Sequence, residues 1–320
     1  MSHVSVTEVI NVDTAEEFLQ QIRRSHTQWL DNKHGPECGW FFRGQPDASL
    51  TLLPAAFRPA SNDLLTSLRE AIQRDHASTD WRKLLGARAK EVTCSDAEFG
   101  QVAIDALTHA GAVRLFMAVA HEVRRAVPFS DLLHHVFNNQ RTEFRQYFCG
   151  EFDGNPHSVF AVAQHHGVPT QFLDWTLDPL IAAYFAADKA DAGKADRLAL
   201  WAIRRDLFDC DWSLCRFSVG AGITPFLDAQ AGLFTWSRRA YIDRANRGRY
   251  VPFDELVDQA AAATPLAALE PPPYLKKVTL PTSRRDDLLR LLWTERVTPA
   301  HLMPTFDHVT RAVEQKVRWL

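Results

Sequence analysis

The sequence predicts an α+β fold, on three observations. Short apolar or aromatic runs of strand type lie at both ends of the chain, at residues 38–44, 197–203 and 274–280. Between the first and the others lies a block, 61–150, whose alanines, leucines and aromatics recur at helical spacing. No repeat of solenoid length interrupts this order. The expected core is therefore a small mixed or antiparallel sheet, assembled by long-range contacts around a large helical insertion. One composite domain is expected over 1–320, with 35–60 and 150–320 as sheet core and 61–149 as the mainly helical insertion.

Each element has a local reason. Residues 13–31 read as a first helix. Asp13 or Thr14 can cap it, Glu16 and Glu17 suit its positive end, and Phe18, Ile22, Trp29 and Leu30 fall near one stripe. After Gly35-Pro36, the run Cys38 to Gly44 is a short aromatic strand ending at a glycine. The proline-bearing segment 46–59 is expected to be an extended loop around Leu50, Leu52 and Leu53. Helical patterns follow at 62–76, 97–126 and 129–149, with Asp96 as cap of the second and Pro128 to Asp131 opening the third. A helix over 156–166, a Gly-Val-Pro turn and an extended stretch at 170–174 come next. A further helix runs from about Asp178, a good cap with Pro179 at the first helical position, to Lys189. Arg197 to Ile203 is a buried strand, 223–237 loop and strand, and 253–273 a surface linker or irregular crossing that ends in Ala/Pro-rich sequence. Tyr274 to Leu280 is a strand. Residues 283–293, capped by Ser283, and 304–318 are helices.

Composition excludes several classes. The 320 residues are 46% hydrophobic and 23% charged, which is the balance of a folded globular chain rather than a disordered one. No uninterrupted apolar run approaches the roughly 18 residues of a membrane helix, and the N-terminus has neither a basic nor an apolar leader region, so no membrane association is expected. A net charge of -3 offers no global attraction for nucleic acid. The five cysteines are odd in number and lack CxxC spacing, which favours a reducing, cytoplasmic home over a disulfide framework. The histidines lack metal-ligand spacing, and no metal is expected.

Four segments carry polar groups that a core does not require. In Trp40-Phe41-Phe42-Arg43-Gly44-Gln45, a strand fixes a guanidinium suited to phosphate or carboxylate, and Gly44 admits close approach to its backbone. The alternative is that Arg43 pairs with a structural acid. In Gln164-His165-His166-Gly167-Val168-Pro169-Thr170 and Leu173-Asp174-Trp175-Thr176-Leu177-Asp178-Pro179, histidines, acids, a threonine and a tryptophan gather around a turn and a helix start. Asp174 can act chemically or only orient its neighbours, and Asp178 can be only a cap. In Asp228-Ala229-Gln230, an acid and an amide two residues apart share one face of an extended chain.

At these segments the sequence resembles the FRG-domain family, through Phe42-Arg43-Gly44, AQHHGVPTQFLDWTLDPLIAAYFA at 163–186, Gln230 to Phe234, and RVTPAHLMPTFDHVTRAV near the C-terminus. Order and spacing fit over roughly 35–315. Gln171 and Asp178 stand where that family usually has arginine and asparagine, and Phe226 where an arginine often precedes the glutamine-glycine motif. The family is similar to components of bacterial toxin and defence systems. More weakly, an aromatic-Arg-Gly strand followed by a polar trio and an Ala-rich helix resembles the arginine-type ADP-ribosyltransferases.

That second resemblance implies an ADP-ribosyltransferase-like core and NAD as substrate. Arg43, Gly44, Gln45, His166, Trp175, Thr176 and Gln230 would form the NAD site, with Arg43 on the phosphates and Trp175 against the nicotinamide or adenine. The glutamate expected near Gln230 is absent. Asp174 or Asp228 would then stabilise the ribosyl cation, and His165 or His166 would bind ribose hydroxyls or act as base. The implied role is an effector, a toxin or an anti-phage defence component, modifying a protein or nucleic acid. The alternative is a non-catalytic ligand-sensing or interaction module of a bacterial defence system.

Overall fold

The computed structural model describes residues 7–30, 39–58, 63–125, 140–150, 157–211, 213–219, 229–263 and 273–320. Seven strands form one mixed sheet: β1 (Thr7–Asn11), β2 (Trp40–Gln45), β3 (Leu173–Thr176), β4 (Arg197–Arg204), β5 (Leu214–Ser218), β6 (Gly232–Ser237) and β7 (Leu275–Pro281). Their order is β1-β7-β4-β2-β3-β6-β5, with β1 and β7 parallel and every other pair antiparallel. The helices among the described residues are α1 (Ala15–Ile22), α2 (Asp63–Asp75), α3 (Trp81–Leu85), α4 (Asp96–Glu122), α5 (Gln140–Cys149), α6 (His157–His165) and α7 (Pro179–Lys189). After them come α8 (Leu207–Cys210), α9 (Ala240–Arg247), α10 (Phe253–Ala263), α11 (Arg285–Thr294), α12 (Pro299–Leu302) and α13 (Phe306–Val317). The fold is α+β.

Strand β4 explains the layering. Side chains alternate across a strand, and a strand covered on both faces reads as a continuous apolar run. Leu198, Leu200 and Ala202 join the cluster made with α1, α7 and α11. Ala199, Trp201 and Ile203 join the cluster made with α8 and α10. The same alternation divides β2, where Phe42 belongs to the first cluster and Phe41 to the second. On the first face Trp29 sits edge-on to both Trp40 and Phe42, with centroids 5.6 and 5.2 Å away.

The local starts are capped where short polar residues stand. Thr14 and Glu17 make a reciprocal capping box on α1, and Ser95 and Glu98 make one on α4. Asp178 Oδ1 accepts from the Leu180 amide, with Pro179 next to it, as the sequence indicates.

Several boundaries differ from expectation. The first helix ends at Ile22, a short 3-10 turn covers Thr27–Trp29, and Leu30 is exposed. The preceding strand β1 was not expected. It lies at the sheet edge and is only half-buried, so it lacks the apolar alternation that betrays a strand. The cap of α4 is Ser95 rather than Asp96, and that of α11 is Arg284 rather than Ser283. Residues 253–263 form a helix rather than an irregular crossing, because the alanine run is a good helix former and Phe253, Val257 and Ala260 give it a buried stripe. Of the helix expected over 129–149, α5 is the described part, while its opening at Pro128 to Asp131 lies outside the described residues, as do Phe226 and Asp228.

The helical block is joined to the sheet by shared core. α4 is long and apolar enough to cross a membrane, yet its buried residues supply two protein clusters. Phe99, Val102 and Ala106 pack with Phe144 and Phe148 of α5 and with Tyr241 and Ile242 of α9. Ala110, Val113 and Met117 pack with Phe160, Phe172 and Trp236. A buried polar tie crosses this junction: His109 Nδ1 and the Tyr241 hydroxyl are 2.8 Å apart. Burial pushes the His109 imidazole down to about 4, so it is neutral at physiological pH. Tyr241→Phe should leave that buried nitrogen unpaired and lower the unfolding free energy by about 1–3 kcal/mol in denaturant melts. An unchanged midpoint would show that the block does not depend on this tie.

Candidate functional site

The site begins as a split in the sheet. β2 and β3 are joined through one residue pair, Phe42 with Thr176. On their outer sides both are fully paired, β2 with β4 over six residues and β3 with β6 over four. Where the two strands are not paired to each other, a cleft of about 350 Å³ is lined by both. Its wall takes Arg43, Gly44 and Gln45 from β2 and Asp174 and Thr176 from β3. Gln164 and His165 come from the end of α6, Phe185 and Lys189 from α7, and Gln230 from the turn before β6. The size is that of a small-ligand pocket.

One ionic contact bridges the split. Arg43 Nη1 donates to the Asp174 carbonyl oxygen at 2.7 Å and to its Oδ1 at 2.6 Å. The Arg43 side chain is 13% exposed, that of Asp174 63%. Gln164 Nε2 donates to the same Oδ1 at 3.2 Å, and the Thr170 hydroxyl donates to Gln164 Oε1. Asp174 Oδ2 has no partner among the described residues. Enclosure by the wall pushes the Asp174 carboxyl up, but the charge and hydrogen bond of Arg43 outweigh it, leaving the group below its ordinary value and ionised.

Neighbouring polar groups mostly support the scaffold. Thr176 Oγ1 donates to the Gln230 carbonyl at 2.7 Å and accepts from the Asp178 amide at 3.0 Å, tying β3 to the start of α7. Gly44 borders the cleft and packs on the α7 backbone. A Cβ there would clash with the Ala182 carbonyl and lie 2.7 Å from the Ala186 nitrogen, so the residue is needed for close approach. Ala231, beside Gln230, holds a left-handed φ of 45°, an uncommon geometry for a residue with a side chain.

The structure brings Arg43, Gly44, Gln45, His165, Asp174, Trp175, Thr176 and Gln230 to this one cleft. Trp175 borders it, but its ring is 3% exposed, lies in the core cluster, and donates from Nε1 to Thr235 Oγ1 at 2.8 Å, so it offers no stacking face. His166 is not among the lining residues; its ring stacks on Phe116, with centroids 6.0 Å apart. Asp228 lies outside the described residues. His165 remains in the wall, and burial, with the nearby His166 and His308, pushes its imidazole down.

Sequence reasoning missed two cations of the wall, Arg58 and Lys189. Arg58 follows the loop 46–57, which is anchored rather than free. Phe57 stacks on Tyr250 at 4.1 Å, the Ala56 amide donates to the Thr170 carbonyl, and Arg58 Nε donates to the Leu53 carbonyl. No local sequence signal marks Arg58, because the contacts that place its loop come from Tyr250 and Thr170, far along the chain.

The family description that matches is the FRG domain, over residues 114–195. The chain carries an FRG domain. The matched FRG segment contributes Gln164, His165, Asp174, Thr176 and Lys189 to the cleft, while Arg43 and Arg58 come from the residues before it. No curated protein and no solved structure matches the chain.

Two outcomes follow for the FRG cleft. Gly44→Ala should strongly destabilise the protein, by several kcal/mol, since the obstacle is helix backbone and cannot rotate away. A melt within about 0.5 kcal/mol of the parent would refute that packing role. Asp174 also sets an acid limb. Its folded-state pKa is depressed, so the Arg43 pair stabilises the fold above the carboxyl's ordinary value of 3.8 and is lost as pH falls from there through the lower folded value. Melts below about pH 4 should therefore fall more steeply for the parent than for Asp174→Asn; parallel curves would contradict the pairing.

Proposed function

We propose that the cleft binds a nucleotide of the NAD class and that the chain is an ADP-ribosyltransferase-like effector. The observation that carries the reading is Asp174: an ionised carboxylate, unpaired at Oδ2 among the described residues, held beside a guanidinium in the wall of a ligand-sized cleft. Breaking the nicotinamide–ribose bond sends the bonding pair to the nicotinamide ring and leaves positive charge at the ribose. A fixed carboxylate stabilises that charge where it develops, and an acceptor nucleophile then forms the new bond. Two buried groups suit the leaving carboxamide. Gln45 Oε1 is an acceptor and Gln230 Nε2 a donor, both without hydrogen-bond partners among the described residues. His165, pushed towards its neutral form, is the base available to the acceptor. The acceptor is a protein or nucleic acid, the setting the cytoplasm, and the toxin-like or defence role follows from the family resemblance.

A second reading, a ligand-sensing module without turnover, is favoured by one fact. Asp174 is the only acidic side chain lining the cleft among the described residues, and its charge is already matched by Arg43.

Calorimetry with NAD, followed by mass spectrometry for free nicotinamide, separates the two. Binding with release supports the transferase, and binding without release supports the sensor. No binding rejects both. In the transferase case Asp174→Asn should cut turnover by about two orders of magnitude or more while NAD affinity changes little, because the charge is needed in the transition state. Full turnover by a folded Asp174→Asn protein would remove it from the reaction.

A further inference from the structure

The geometry points to a second element of the cleft: an oxyanion subsite formed by Arg58 and Lys189, which takes a phosphate or diphosphate group of the ligand. It deepens the nucleotide reading and reassigns the anchoring of its phosphates away from Arg43.

Charge at the cleft is not balanced. Among the described residues its wall carries Arg43, Arg58 and Lys189 against Asp174 alone, with His165 apart. The Asp174 charge is spent on Arg43, whose guanidinium is nearly buried and committed at Nη1 to two oxygens of that residue. Arg58 and Lys189 are both exposed, and neither forms an ion pair among the described residues. Arg58 donates from Nε to the Leu53 carbonyl, which aims the side chain and leaves the Nη groups without a partner among the described residues. Both cations act on the same acid: Asp174 feels Lys189, and Arg58 feels Asp174 as well as Arg43. Partial loss of hydration at the wall and the like charge of Arg43 both disfavour the Arg58 cation, although much of the side chain is exposed, and an incoming oxyanion offsets that repulsion.

The two residues reach the wall from well-held places. Arg58 ends a loop pinned by the Phe57–Tyr250 stack and by the Ala56–Thr170 backbone bond. Lys189 stands in the last turn of α7, the helix that Gly44 fixes against β2. A planar guanidinium and a mobile ammonium together suit the non-bridging oxygens of a phosphate or diphosphate. Seating the phosphate there leaves the Arg43–Asp174 bridge intact and the free Asp174 oxygen beside the rest of the ligand.

The test measures affinity by calorimetry for inorganic pyrophosphate, for NAD and for nicotinamide riboside, which lacks phosphate. The proteins are the parent, Arg58→Gln, Lys189→Gln and Arg58→Lys, each checked for an unchanged melt. Both side chains are exposed, so folding should survive. The subsite predicts about tenfold or greater loss of pyrophosphate and NAD affinity in each Gln variant. Arg58→Lys should recover part of the loss, riboside binding should be unchanged, and the salt dependence of pyrophosphate binding should be shallower in the Gln variants. Pyrophosphate binding that depends on Arg58, without NAD binding, keeps the subsite and rejects the NAD reading. NAD binding that is equal in parent and Gln variants keeps the NAD reading and overturns the subsite. A parent that binds neither pyrophosphate nor NAD overturns both.

Discussion

The ion pair between Arg43 and Asp174 is the contact on which the site depends. Two neighbouring strands that share one residue pair would ordinarily either zip together or drift apart. Here each is held from outside, by β4 and by β6, and the guanidinium spans the gap between them. The bridge keeps a carboxylate ionised at the edge of a cleft, which an unpaired acid in the same enclosure would resist. A largely enclosed arginine with an exposed partner is also an asymmetric arrangement. The acid can be solvated when the pair opens, but Arg43 cannot, so losing Asp174 should cost more than the surface-like exposure of the acid suggests.

Gly44 supplies the second constraint. Without a side chain at that position, α7 lies directly on β2, and the start of the helix is fixed by Asp178, which Thr176 in turn positions. One short stretch, from Thr170 to Lys189, thereby carries the acid, the strand, the cap and the cation at the helix end. The segment is rich in polar groups, yet most of them bond to backbone. Among the described residues the chemical inventory of the cleft is smaller than its composition suggests: one ionised acid, one partly buried imidazole, two amide atoms without partners and three cations.

Much of this was legible in the sequence, for identifiable reasons. β4 is a nearly continuous apolar run, β7 a short run led by Tyr274 and Leu275 with Val278 and Leu280, and α7 announces itself by Asp178-Pro179, so these central elements lie close to the limits the sequence indicates. Asp174 and Arg43 stood out because short strands flanked by aromatics have no need of charge, and they do meet. Edge strands β1 and β5 escaped notice because half-exposed strands lose the alternation that reveals them. Trp175 was misjudged because sequence gives the residue but not the face: next to the outward Asp174 it turns inward, to Thr235. His165 and His166 are adjacent, and adjacent side chains diverge, so only one reaches the wall. Arg58 was invisible since its position is set by a stack with Tyr250, nearly two hundred residues later in the chain.

The central claim, that Arg43 and Asp174 act as one bridging unit, is tested most directly by a double-mutant cycle on unfolding free energy with Arg43→Gln, Asp174→Asn and the double variant, at neutral pH. A bridging pair should show a coupling of about 1–3 kcal/mol, with the double variant less damaged than the sum of the single ones. Strictly additive losses would contradict it and would mean that the two residues hold their strands independently.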